Sequence, residues 1–129
     1  MFKKWHILYC DASLTICPIT EFIESSPQKH QIKIIRFLEL LEEMGPTLPR
    51  PYADLLHTGV HELRVKLSGN QARILYFFCF EEFIILFKAF WKTTDRVPEK
   101  YINQTIDYRN RFIELSDEYR LKRLIHAEV

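Results

Sequence analysis

Arg64, Arg73, Lys88 and Lys92 are isolated cations in runs that are otherwise mostly apolar, VHELRVKL, ARILYFFCF and FIILFKAFWK. A charge held inside a pattern that asks for burial marks a position where function is to be sought. Cations gathered on one surface hold an anion at a single spot, and the charge of the whole chain decides how far that attraction reaches. The net charge is only +1, distributed as −1 over residues 1–59, +2 over residues 60–101 and 0 over residues 102–129. A polyanionic partner would therefore be held by a local cluster, with a modest salt dependence. The bland alternative for each cation is solvation or pairing with an acid, and Glu62, Glu81 and Glu82 are near in sequence.

The elements that must position these residues run from Val60 to Lys92 and read as three successive strands. In VHELRVKL the alternation sends Val60, Glu62, Arg64 and Lys66 one way and His61, Leu63, Val65 and Leu67 the other, which predicts a half-buried strand. After the SGNQ turn, ARILYFFCF and FIILFKAFWK carry the β-branched and aromatic density of strands, so a short antiparallel sheet is expected. KWHILYC is a further strand that can lie beside one of these three, and CPITEFIESS is a short helix or irregular turn.

SSPQKH opens a helix, with Ser26 as cap and Pro27 at the first helical position; Gly45 and Pro46 close it after Met44. Its core face is predicted to carry Ile32, Ile35, Leu38 (or Glu39) and Leu41. The alternative for that stripe is to dock a partner helix. PTLPRPYADLLHTG reads as an ordered, proline-stiffened strap. KTTDRVPEKY starts a second helix, capped by Asp95 or Thr94 with Pro98 in the first turn and with Ile102, Ile106, Arg109 and Ile113 on one face; SDEYRLKRLIHAEV restarts or extends it behind Ser116.

With 129 residues and 47% hydrophobic content the chain has the size of one domain with a real core, spanning residues 1–129. No stretch reaches membrane-spanning length without charge and the N-terminus lacks a cleavage site, so no membrane association and a cytoplasmic location are expected. Cys10, Cys17 and Cys79 follow no metal-ligand spacing and read as reduced thiols in the core.

Four segments in order, PRPYADLL, GVHELRVKL, ARILYFF and FIILFKAFWKTTDRVPEKYI, resemble the phage-derived, HigB-like branch of the RelE/ParE toxin superfamily over roughly residues 30–115. The resemblance implies a small α+β fold, in which a twisted, mainly antiparallel sheet packs on N-terminal helices that cover one side, with a C-terminal helix. It also implies the toxin of a type II toxin–antitoxin system, held inactive by a neighbouring antitoxin and cutting mRNA on the ribosome. The implied chemistry is attack of a ribose 2′-hydroxyl on the adjacent phosphate, which needs neither metal nor cofactor.

On that resemblance Arg64 and Arg73 match the family arginines and are suited to grip the scissile phosphate, because a guanidinium fork binds two oxygens at once. Lys92 would stabilise the phosphorane or move a proton. Lys88 and Lys66 would add to the basic patch, and Tyr76 and Tyr101 would stack on a base or donate a hydroxyl; the bland reading of Tyr76 is core. Two departures stand out: Lys92-Thr93 replaces a pair of lysines, and Val97 replaces a threonine before the helix proline. His61 falls on the face opposite Arg64. The competing function is a binding-only protein, either a gyrase inhibitor of ParE type or a phage-derived interaction module. A DNA-binding antitoxin is disfavoured, since no helix-turn-helix pattern is visible.

Overall fold

The structure is a computed structural model that describes residues 5–9 and 18–127. Its strands are β1 (His6–Leu8), β2 (Ala53–His57), β3 (Val60–Leu67), β4 (Asn70–Cys79) and β5 (Phe83–Trp91). Its helices are α1 (Pro18–Glu24), α2 (Gln28–Met44), α3 (Glu99–Leu115) and α4 (Glu118–Ala127). The sheet order is β1-β5-β4-β3-β2, antiparallel throughout except that β1 runs parallel to β5. The three expected strands form as predicted, and the first strand finds its place beside the last of them.

One strand was not foreseen. Ala53–His57, inside the expected strap, pairs antiparallel with β3 as the outer strand of the sheet. Five residues with a mixed pattern and a single ladder partner give little periodic signal.

α1 and α2 cover one face of the sheet. Ile19 and Ile23 of α1, with Ile34, Leu38 and Leu41 of α2, pack there against Leu63, Val65, Ile74, Tyr76, Ile84 and Leu86. The helices are not confined to that side, because α3 and α4 lie on the other face, where Tyr108, Phe112, Ile113 and Leu121 pack on Phe77, Cys79, Phe83 and Ile85. β3 is therefore buried on both faces over most of its length, Glu62 included, instead of half-buried.

The length of α2 agrees with expectation, and so does the burial of Leu38 and Leu41 on its core face, but the isoleucines of that face do not. Ile34, Leu38 and Leu41 are buried, whereas Ile32 and Ile35 remain 49% and 38% exposed. Several apolar stripes share this helix, and the tertiary contacts selected the one through Ile34. The Ser26 hydroxyl donates back to the Phe22 carbonyl of α1 and caps nothing; Pro27 precedes the first helical residue of α2. At α3, likewise, Pro98 takes the cap position and the Thr94 hydroxyl donates to the Arg96 carbonyl. Asp117, not Ser116, accepts the Tyr119 amide at the start of α4.

Gly45 ends α2 at φ 52° and ψ −131°, a conformation reserved to glycine, and a Cβ there would collide with the Trp5 indole. Gly45→Ala is expected to cost at least the backbone strain of about 1–3 kcal/mol, read as a lower urea midpoint with an unchanged m-value. Cys79 is buried and free, and burial pushes its thiol up to about 11. Cys10 and Cys17 lie outside the described residues.

Candidate functional site

Arg64 of β3 and Arg73 of β4 are direct cross-strand partners, so both side chains rise from the same face of the sheet. A bulge in β5 decides which lysines join them. Leu75 pairs with Lys88 and Tyr76 with Leu86, leaving Phe87 as the extra residue. Without that insertion the alternation from Phe83 and Ile85 onward would turn Lys88 and Phe90 away; with it, Lys88 and Phe90 share the Arg73 face. The Lys92 amide donates to the Gln71 carbonyl, which extends the ladder by one step.

Between this face and the start of α3 opens a cleft of about 720 Å³, whose walls include Glu62, Arg64, Arg73, Asp95, Arg96 and Glu99. A smaller recess of about 80 Å³ adjoins it, sharing Arg73, Thr94, Arg96 and Pro98 and adding Phe90, Lys92 and Tyr101. Arg73 thus stands on the wall common to both.

Both arginines are held by carboxylates. Glu62, 0% exposed, accepts from Arg64 Nε at 2.6 Å through Oε1 and from Arg73 Nη1 at 3.4 Å through Oε2. Asp54 of β2 accepts from Arg64 Nη2 at 3.1 Å and from Arg50 Nε at 3.0 Å. Burial acts to raise the Asp54 carboxyl, but the Arg50 hydrogen bond, the charges of Arg50 and Arg64, and the Leu55 amide outweigh it and hold the group below its usual range. Arg73, 5% exposed, also donates from Nε to Gln71 at 3.1 Å and from Nη1 to the Asp95 carbonyl at 3.4 Å, tying the 93–98 loop to the sheet. Nη1 of Arg64 and Nη2 of Arg73 donate to none of the described residues. These bonds fix both guanidinium planes while leaving each with free N–H groups beside an open cleft.

The remaining predicted residues fall in three places. Lys92 lines the smaller recess, and its partner Asp95, 3.5 Å away, is fully exposed, so this ion pair restrains it weakly. Tyr101 lies in the same recess, 4.9 Å from the Phe90 ring, with Lys88 Nζ 4.3 Å from its ring centre. Lys66 is on the arginine face but exposed at the far end of β3, outside both cavities. Tyr76 points the other way: it is 1% exposed in the core under α1 and α2, which removes it from any ligand in the cleft. Its alternation parity with Ile74 was the available signal.

Arg96 and Asp54 were not singled out from sequence. Arg96 sits among loop residues, and Asp54 in the strand that was missed. From sequence Glu62 reads only as a possible ion-pair partner; its place two residues before Arg64 on the same face is the signal of its bridging role.

His61 stacks on Tyr76 at 5.4 Å, on the face away from the arginines as alternation required. Burial holds its imidazole below the ordinary value of 6.5, the charge of Asp54 only partly opposing this. The neutral ring is then the native form. Its contribution to stability is complete above pH 6.5 and is lost as pH falls through the lowered value. An NMR titration of His61 is expected to give a midpoint below 6.5, and a midpoint above it would contradict the buried placement.

Among the described residues no group of histidine, cysteine or acidic side chains has the geometry of a metal site, and no helix is long and apolar enough to cross a membrane. A family model described as phage derived protein Gp49-like (DUF891) matches residues 21–109. No curated protein matches the chain.

Proposed function

The chain belongs to the phage-derived Gp49-like family, a toxin-related family of RelE/ParE type, and on that premise we propose that it is the toxin of a type II toxin–antitoxin pair of the HigB-like branch. Residues 1–129 act as one toxin domain in the cytoplasm, paired with an antitoxin from the neighbouring gene, and the activity is cleavage of mRNA on the ribosome. The observation that carries this proposal is the pairing of Arg64 with Arg73 across two strands at the wall of one open cleft.

The chemistry follows from what those groups can do. A ribose 2′-hydroxyl attacks the adjacent phosphorus, its proton leaves to a base, and the bond to the 5′-oxygen breaks as that oxygen takes up a proton. The products are a 2′,3′-cyclic phosphate and a 5′-hydroxyl end. Arg73 and Arg64 hold the non-bridging oxygens through the N–H groups left free by Glu62, Asp54 and Gln71, and stabilise the charge that builds on them. Lys92, with Lys88 nearby on the same face, is placed for the proton transfer. Tyr101 offers a ring or a hydroxyl to the neighbouring nucleotide. Glu62 is a positioning residue that fixes both guanidinium groups.

One observation favours a second function. Arg64, Arg73 and Arg96 in the cleft are matched by Glu62, Asp95 and Glu99, so the cleft has little excess positive charge to attract RNA. A binding-only toxin of gyrase-inhibiting type, or a phage-derived interaction module, accommodates this balance. Induced expression with mapping of transcript 5′ ends, with and without the adjacent gene, separates the two. The expected result is growth arrest with new 5′ ends inside coding regions, both suppressed by the neighbour. Arrest with intact transcripts and blocked DNA supercoiling would select the second function instead.

A further inference from the structure

The outward face of α2 carries a shallow recess of about 330 Å³ lined by Gln28, Gln31, Ile32, Ile35, Arg36 and Glu39. Two large β-branched side chains left exposed in one turn of a helix that already buries another stripe form an apolar ridge with no partner among the described residues. From the order of these six residues we propose that the face docks on a second copy of itself, α2 against α2 in antiparallel contact about a twofold axis near Lys33 and Ile34.

In that arrangement Ile32 of one copy meets Ile35 of the other, Gln31 meets Arg36, and Gln28 meets Glu39, each contact occurring twice. Apolar side chains fall at the centre and polar ones at the ends, which is the pattern of a small isologous interface. The donors and acceptors match as well. The Gln31 side-chain nitrogen is already spent on the carbonyls of Glu24, at 3.2 Å, and Ser26, at 2.8 Å. Only its Oε1 remains to be satisfied, and a guanidinium can serve it. Arg36 makes no hydrogen bond or ion pair among the described residues, and neither does Glu39, although the two are three residues apart on one helix and of opposite sign. The Gln28 amide nitrogen is a suitable donor to the Glu39 carboxylate of the other copy. A partner of unrelated sequence would have to reproduce this order; a second copy has it by symmetry. The α2 face is opposite the cleft, so the proposal is independent of the catalytic one.

Sedimentation equilibrium of the full chain over a wide concentration range tests it. The wild-type protein is expected to show reversible monomer–dimer association. Ile35→Glu is expected to be monomeric at every concentration, with the melting temperature that the wild type shows when diluted to monomer, because the side chain is exposed and the core stripe is untouched. Gln28→Lys places an ammonium opposite Glu39 at both symmetry-related contacts and is expected to tighten the dimer by about a hundredfold, about tenfold for each of the two charge-assisted hydrogen bonds. A wild-type chain that stays monomeric throughout overturns the proposal. A dimer indifferent to Ile35→Glu, or weakened by Gln28→Lys, overturns it too.

Discussion

Glu62→Ala is expected to lower the unfolding free energy by about 3–5 kcal/mol, because it removes the shared partner of two guanidinium groups of which one is itself buried. Arg73 has 6% of its side chain exposed, and without Glu62 its Nη1 keeps only the 3.4 Å contact to the Asp95 carbonyl. Arg64, at 27%, still has Asp54 and water. The destabilisation therefore comes mainly from the Arg73 side. Glu62→Gln keeps the shape and one acceptor oxygen but loses the charge, so it should fall between the two. Urea unfolding of the three proteins tests the order, and a Glu62→Ala midpoint within error of the wild type would show that the bridge contributes nothing to stability.

Arg73→Lys is expected to leave a folded protein whose transcript cleavage drops by about 10²–10³-fold, the range seen when one donor to a developing oxyanion is removed. Lysine keeps a positive charge next to Glu62, so the buried carboxylate is not stranded. What disappears is the planar fork that can hold Glu62 with one nitrogen and a phosphate with another. Arg73→Ala is a poorer test, since it exposes Glu62 to the same imbalance that makes Glu62→Ala unstable. Cleavage at the parental rate and at the same codons by a folded Arg73→Lys protein would remove Arg73 from phosphate binding and, with it, the reason to place the reaction in this cleft.

The sheet was legible because β3, β4 and β5 combine β-branched and aromatic density with turn residues between them, and because the alternation of β3 already assigned Arg64 and His61 to opposite faces. The place of Lys88 and Lys92 needed more than alternation, since one inserted residue at Phe87 reverses the parity of β5 and has no distinct residue type to announce it. The face of α2 is legible only in part: Leu38 and Leu41 are buried as their spacing predicts, but Ile32 and Ile35 satisfy a helical period with them as well as Ile34 does. Which stripe turns inward is decided by the sheet it meets. The burial of Glu62 was hidden for a related reason: a strand covered by helices on both sides looks amphipathic when its second face holds an ion-pair network. The candidate arginines could be named from sequence, but the acids that bind them could not be ranked until β2 was known to lie beside β3.

The parallel pairing of His6–Leu8 with Phe83–Ile85 joins the earliest described strand to the last one made. Hairpins β2–β3, β3–β4 and β4–β5 close through short local turns, whereas this contact must wait until more than half of the chain has been synthesised. Until it forms, β5 presents an open row of amides and carbonyls flanked by phenylalanine and isoleucine, the kind of border on which another strand can nucleate. A chain trimmed of its first nine residues would keep the strands of every hairpin yet lose this seal together with the buried Trp5 indole, and intermolecular strand pairing would be added to a weakened core.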